Sequence, residues 1–373
     1  MPPTASLKSA LWNLKLRLQF TGWLQYLPNA LLALILGTIA SIGWLIGAFP
    51  VLLFWTPLVL TLLLLANLSF DLVTVKLDVR PAERVPARLD SLDAFDLMRA
   101  RESCRSFQSR DLTPEHHEEL MDEVACQAEP AQQLGECSIR FEYVAVPLTV
   151  WPVVGAHEFL VAIAPREYDR MSVIDVGRSL QKVVHHATRM GLATCWIGPG
   201  ADHESIQHQL GPGFDPERDN VICVCAVGYG SKFKPALLRL IQRVGRRRLS
   251  IDELFFTSPD LDIPLDPEAP PFDSFGRCYE VCQWAPSSFN GQTTRCAAVL
   301  DEQTRVTRFD FFATTDSRFY TPVALGIWLA NWETGCEAAG FSGRFQTLGP
   351  KDRNATHTPE LPRYDISWIR NLG

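Results

Sequence analysis

Acidic residues are missing from the amino-terminal region: no Asp or Glu occurs before Asp71, and from residue 18 to residue 70 there is no charge of either sign. So long an uncharged run excludes an ordinary solvated surface, and it is too long and begins too late for a cleaved signal peptide. Residues 29–49 and 51–70 each match the ~20 residues that cross a bilayer. Between them Gly47, Ala48, Phe49 and Pro50 leave a tight uncharged connection, where proline removes a backbone donor and favours a turn. The expectation is a transmembrane helical hairpin over 29–70, against the alternative of a buried helical pair in a soluble domain. Lys8, Lys15 and Arg17 precede it, and Lys76, Arg80, Arg84 and Arg88 follow. Basic flanks on both sides put the amino terminus and the remainder of this multi-pass chain on the cytoplasmic side. The acid-free start and the spacing of Leu7, Leu11, Leu14 and Leu18 also suit a basic amphipathic targeting helix, so an organellar membrane stays open.

Other shortages narrow the class. The ten cysteines are scattered in ones and twos, without the dense framework of a small secreted domain, which favours a reducing compartment. A net charge of -7 gives no global attraction for polyanions and argues against nucleic acid as a partner. No Walker or Rossmann glycine pattern stands in a strand–loop–helix context. His116-His117 and His185-His186 are adjacent pairs that point to different helix faces, and Cys223-Val224-Cys225 has no second pair. No metal site is expected.

What is present is a large α+β unit, in a chain whose 47% of hydrophobic residues leaves ample material for a core. The chain divides into a basic segment 1–28, the hairpin 29–70, a polar link 71–90, a first half 91–257, a Pro- and Asp-rich link 258–274 and a second half 275–373. Thr113-Pro114-Glu115 supplies an N-cap, a proline at the first helical position and an early acid. Strands are expected at 139–146, 158–164 and 221–227, with a helix over 173–192. In the second half a helix around 275–284, strands around 297–300 and 306–312, and a helix around 322–339 repeat this style.

Three clusters could carry chemistry. Arg101-Glu102-Ser103-Cys104-Arg105-Ser106 places two guanidiniums and hydroxyls near a helix, fit for phosphate, although a solvated Arg-rich turn reads the same way. In Gly191-Leu192-Ala193-Thr194-Cys195-Trp196-Ile197-Gly198 the glycine suits a helix end, and small residues would let backbone approach a flat ring. Its bland version is a core tryptophan beside an inert buried thiol. Ala285-Pro286-Ser287-Ser288-Phe289-Asn290-Gly291-Gln292 offers hydroxyls and amides to a polar ligand edge, or an ordinary Asx or Ser turn.

Taken together, the RxSxR motif, the Asp175-Val176-Gly177 helix leading to GLATCWIG, Val227-Gly228-Tyr229 and APSSxNxQ resemble the nitroreductase-like, FMN-dependent flavoproteins over nearly everything after Ser91. In that family the APSSxN element usually follows soon after RxSxR. Here residues 125–134 lack it, and it stands instead at Ala285. The order resembles a fused subgroup in which one chain supplies both subunits of the usual homodimeric site. The resemblance therefore implies a nitroreductase-like fold as an internal pseudo-dimer behind a two-helix transmembrane hairpin, with residues 322–333 as a second copy of the Asp175 helix.

It further implies a basic tract after the glycine-tyrosine turn, here Lys232, Lys234, Arg239 and Arg246-Arg247-Arg248, and that Arg101, Ser103 and Arg105 hold the FMN phosphate, helped by Lys234 or Arg248. The alternative for those basic residues is a patch facing anionic lipid. Thr194, Cys195, Trp196 and Gly198 would lie beside the isoalloxazine ring, and Pro286, Ser287, Ser288 and Asn290 would line the opposite flank. NADH or NADPH is the implied electron donor and a quinone or nitro compound the implied small-molecule acceptor. The catalytic residue stays open, the lipid bilayer is a partner, and the site needs no homodimer. Two departures, Glu102 beside the phosphate site and Thr293-Thr294 where the family has Pro-Trp, leave a noncatalytic flavin-sensing or membrane-associated interaction protein as the competing reading.

Overall fold

The computed structural model describes residues 22–146, 148, 150–198, 201–236, 238–239, 247–353 and 359–371. The flank of Lys8, Lys15 and Arg17, the leucine spacing before residue 18 and Arg246 lie outside the described residues.

Helices α1 (Leu27–Ile46) and α2 (Thr56–Asp71) form an antiparallel pair, which adjoining helical turns lengthen to Leu24–Ile46 and Val51–Lys76. Both are long and apolar enough to cross a membrane. Ile35, Leu45, Leu52 and Leu63 are exposed on their outer faces, the reverse of what a buried helical pair would show. The helices approach closely at Gly43, where a Cβ would stand 2.2 Å from the Leu53 carbonyl oxygen. Helix α1 stops at Ile46 because Gly47 turns left-handed at φ 68°.

Helices α3 (Ala94–Ala100) and α4 (Pro114–Ala128) open the mixed α and β unit. Asp93 caps α3 by accepting from Asp96 N at 2.7 Å, and Thr113 caps α4 by accepting from His116 N at 3.3 Å. The first sheet contains β1 (Arg140–Val144), β2 (Glu158–Pro165), β3 (Ala193–Ile197) and β4 (Asp219–Gly228), in the order β1-β2-β4-β3 and antiparallel throughout. Between β2 and β3 runs the long α5 (Arg170–Arg189), and α6 (His203–Leu210) precedes β4. Alternate side chains of β2 serve two apolar layers: Leu160 and Ala162 pack towards α5, Phe159 and Val161 away from it.

The second sheet has β5 (Phe255–Phe256), β6 (Thr294–Leu300), β7 (Val306–Ala313), β8 (Gly343–Gln346) and β9 (Arg363–Arg370), in the order β5-β6-β7-β9-β8. Short α7 (Ile251–Leu254) leads into β5, α8 (Arg277–Gln283) precedes β6, and the long α9 (Tyr320–Ala338) follows β7. Leu254 and Phe255, counted with the first half in sequence, lie in the core of the second, because β5 pairs in parallel with β6. Leu265 and Phe272 of the proline-rich link enter the same core. It is dominated by aromatic rings, among them Phe275, Phe309, Trp332 and Trp368.

The halves meet where α5 crosses α9, glycine against glycine. A Cβ on Gly326 would sit 1.9 Å from the Ile174 carbonyl oxygen, and one on Gly177 2.2 Å from that of Val323. Ion pairs clamp the crossing: Arg178 and Lys182 reach Glu333 at 2.7 and 2.8 Å, and Arg170 reaches Asp365 at 2.6 Å.

Candidate functional site

Where α3 ends, the chain straightens and runs along the free edge of β3. Cys104 N donates to Thr194 O at 2.8 Å, Val154 N to Arg105 O at 3.0 Å, and Ser106 Oγ to Phe233 O at 2.5 Å. The outermost strand of the first sheet is thus covered by the Arg101–Ser106 motif, and two clusters far apart in sequence become neighbours.

Arg101 is buried and Glu102 beside it is exposed. Among the described residues no carboxylate lies within ion-pair distance of Arg101, Arg105 or Arg248; Arg101 finds only Ser103 Oγ, at 3.5 Å. Burial, and then the charge of Arg248, push the Arg101 guanidinium down to about 10. Burial lowers Arg248 as well. Two desolvated cations that repel each other, with no carboxylate paired to either among the described residues, are costly to fold, and they suit an external anion.

Arg248 belongs to the segment that enters the second half. It donates to Asn290 Oδ1 and lies over the Trp284 ring at 5.7 Å, while its Nε, buried, has no partner among the described residues. The loop from Ala285 to Gln292 wraps this segment: Asn290 Nδ2 donates to Arg247 O at 2.6 Å, and Gln292 Oε1 accepts from Leu249 N at 2.8 Å. Ser287 Oγ in turn accepts from Gln292 N at 2.9 Å. Phe289, Asn290 and Gln292 have left-handed φ of 52°, 56° and 46°. Such conformations cost energy in residues with side chains and persist only where neighbours hold them. Ser288 is half-buried in this loop. Pro286 and Ser287 line a cavity of about 10 Å³ between loop and α9, roomy enough for one water and too small for a ring system. The buried Thr293 Oγ1 beside it has no partner among the described residues.

The structure therefore brings Arg101, Arg248 and Asn290 together across the two halves. Arg105 lies on the Cys195 side, and Lys234 is felt at Cys104. Burial pushes the Cys195 thiol up to about 11, so its sulfur is protonated and inert. Gly198 packs under Tyr320, whose ring a Cβ would meet at 3.2 Å.

Trp196 is more than a core ring. Its Nε1 donates to Gln181 Oε1 at 3.2 Å; Gln181 Nε2 and Asn331 Oδ1 stand 2.9 and 3.0 Å from His185 Nε2, and Asn331 Nδ2 donates to Val281 O at 2.6 Å. Burial, then the charge of Arg101, push His185 down to about 3, so the imidazole is neutral. Sequence reasoning weighed His185 only as a metal ligand and passed over Gln181 and Asn331. The available signal was Gln181 and His185 at i, i+4 spacing on one helix face.

The donor set fits a phosphate ester: two guanidiniums with no carboxylate paired to them, and one guanidinium N–H with no partner, among the described residues, beside a carboxamide and hydroxyls. A far larger groove of about 600 Å³, lined by residues such as Arg140, Arg166 and Asp219, opens at the other end of β4. Two of its arginines already have partners, Arg140 the Asp219 carboxylate at 2.6 Å and Arg166 the Pro216 carbonyl oxygen at 2.6 Å. Among the described residues no cluster of His, Cys, Asp and Glu could hold a metal ion.

A putative nitroreductase from Thermotoga maritima msb8 shares 15% identity with the chain over 79% of it and 98% of its own length, with a TM-score of 0.46. A nitroreductase from Bacteroides fragilis, solved with bound FMN, shares 16% identity over 38% of this chain and 90% of its own, TM-score 0.31. A nitroreductase family protein from Clostridium difficile 630 shares 20% identity over 43% of this chain and 96% of its own, TM-score 0.34. No curated protein matches. The family model described as "Putative TM nitroreductase" matches residues 93–336. That span runs from the cap of α3 into α9 and includes the Arg101 segment, β3 and the loop at Asn290, and on it the chain belongs to the nitroreductase family.

Proposed function

We propose that the chain is a membrane-anchored oxidoreductase that binds FMN, takes electrons from NADH or NADPH and reduces a small-molecule acceptor, a quinone or a nitro compound. The observation that carries this reading is the convergence of buried Arg101 with Arg248 from a different part of the chain, neither paired to a carboxylate among the described residues. FMN, the group bound in the Bacteroides fragilis nitroreductase, ends in a phosphate that such a pair would suit, and it would supply a two-electron carrier that side chains cannot.

The chain's own residues bind and position. Arg101 and Arg248 would neutralise the phosphate, with Arg105 or Lys234 at its margin and Ser103, Ser287, Ser288 and Asn290 offering polar contacts. Pro286 would shape that flank, and Thr194, Cys195, Trp196 and Gly198 would border the ring through their backbone. His185 is held neutral and hydrogen-bonded, so it is not placed as a proton donor near neutral pH. One chain supplies every one of these groups, and in this reading no homodimer is needed. The hairpin would anchor the protein in a bilayer with the catalytic unit on the cytoplasmic side.

The test is purification of the full chain in detergent and an absorption spectrum, followed by anaerobic addition of NADH or NADPH. A flavin spectrum near one per chain that bleaches with either nucleotide supports the proposal; a colourless protein with no affinity for added FMN overturns it. Glu102 beside the proposed phosphate site, and Thr293-Thr294 where the family has Pro-Trp, motivate a second reading, a noncatalytic flavin-sensing or membrane-associated interaction protein. Bound flavin that neither nucleotide reduces would select it.

A further inference from the structure

The segment after the hairpin is a joint and not a tether. Helical backbone continues beyond α2 to Lys76, and only Leu77, Asp78 and Val79 carry the chain on to Arg80. The four steps from Lys76 to Arg80 span at most ~14 Å. The Arg80 side chain is then buried: it donates to Ser231 Oγ at 2.8 Å, Ser109 Oγ at 3.0 Å and Phe107 O at 3.3 Å, and pairs with Asp78 at 2.8 Å. Glu83 accepts from Lys232 N at 2.6 Å and from Ser231 Oγ at 2.8 Å. The contact also reaches back into the helix, where the Phe70 ring lies 6.1 Å from that of Phe233 and the Asp71 carboxylate accepts from Ala236 N at 3.1 Å.

Depth follows from these contacts. Lys76 lies over the Trp23 ring at 5.3 Å, and a Trp–Lys pair at the ends of two apolar helices is the usual mark of the headgroup level. Phe70 is six residues nearer the apolar centre, or ~9 Å along the helix axis. The headgroup layer on each side is only ~5–8 Å thick. Whatever touches Phe70 and Asp71 therefore touches that layer. Lys232 and Arg239 of the same tract are exposed, as an interfacial segment facing lipid phosphates requires.

We propose that Lys232, Phe233 and Arg239 form a second membrane contact, seated among anionic lipid headgroups, which holds the candidate site at the bilayer surface. The proposal rests on the membrane reading of the hairpin. Because Ser106 Oγ is bonded to Phe233 O, the Arg101 motif is fixed to this contact, and an apolar-tailed acceptor dissolved in the bilayer has a short path to it.

The test uses the full chain in phosphatidylcholine vesicles with and without phosphatidylglycerol. Exposed Cys126 and Cys137 are replaced by serine, and a fluorophore is attached in turn at Lys232→Cys, at Glu217→Cys beside the far groove and at Ile35→Cys in mid-hairpin. The Lys232 label should be quenched several-fold more by nitroxide-headgroup lipid than the Glu217 label, more so with the anionic lipid, and should become iodide-accessible in Arg80→Ala/Glu83→Ala. An Ile35 label shielded from iodide with a Lys232 label as accessible as that at Glu217 overturns the proposal and leaves the hairpin reading intact. An Ile35 label open to iodide overturns both.

Discussion

Replacing Arg101 by methionine separates a residue kept for binding from one kept for folding. In the folded chain the guanidinium is driven down to about 10 by burial and by Arg248, a penalty on the charged form of roughly 3 kcal/mol. Folded and unfolded chains both carry the charge at neutral pH, so the cost is present in full there and is relieved only as pH rises above about 10 towards the ordinary guanidinium range. Methionine keeps most of the aliphatic stem and removes the charge. Without ligand, Arg101→Met should therefore be more stable than the parent, by up to about 3 kcal/mol less any lost packing. FMN affinity should move the other way, because a charge-assisted contact contributes about 1.5–3 kcal/mol, or a roughly 10- to 150-fold weaker Kd. Thermal unfolding of ligand-free protein and flavin titration by fluorescence quenching read the two effects separately. A variant less stable than the parent with undiminished FMN affinity would refute the reasoning and return Arg101 to an ordinary structural role.

Gly326→Ala should destabilise the chain by about 3 kcal/mol or more, since the new Cβ meets backbone on α5 and the helices must separate; denaturant unfolding measures it. Protonation of His185 is resisted in the folded chain down to about 3, so stability should be flat above about pH 6.5 and fall below it by about 1.4 kcal/mol per pH unit. His185→Gln should flatten that slope. Arg178→Met leaves Glu333 with Lys182 alone and should cost about 3 kcal/mol, whereas Arg277→Ala, whose pairs with Asp93 and Asp96 are exposed, should cost under about 1 kcal/mol. Protease digestion of sealed vesicles should cut both ends of the chain from the same face; cleavage from opposite faces would rule out the hairpin topology.

Features carried by local chemistry were legible in the sequence. The uncharged run, the Thr113-Pro114 helix start and the glycine at 191 each act within a few residues, and each appears at or near its expected place. Gly191 has φ 81°, and a Cβ there would press on the Ala87 carbonyl at 2.5 Å. Strands β8 and β9 were not read, because β9 takes its place between β7 and β8 and pairs with residues of β7 that lie far back along the chain. The loop at Ala285 was recognised by its residue types, yet its grip on Arg247 and Leu249 has no local signature. In the polar chain from Trp196 to Asn331 only Gln181 and His185, at i, i+4 on α5, carry a local signal, while Trp196 and Asn331 lie on other elements and join them only in the folded chain.

The glycine crossing has an evolutionary consequence. In a symmetric homodimer one gene encodes both sides of an isologous contact, so any substitution is made twice and must suit its own mirror position. Here Gly177 and Gly326 are separate codons. Each helix can change as long as its counterpart tolerates it, so the two sides of the contact can differ: α5 brings Arg178 and Lys182, and α9 answers with Glu333. The glycines are the exception: backbone meets backbone there, a side chain on either would force the helices apart, and neither codon can change alone.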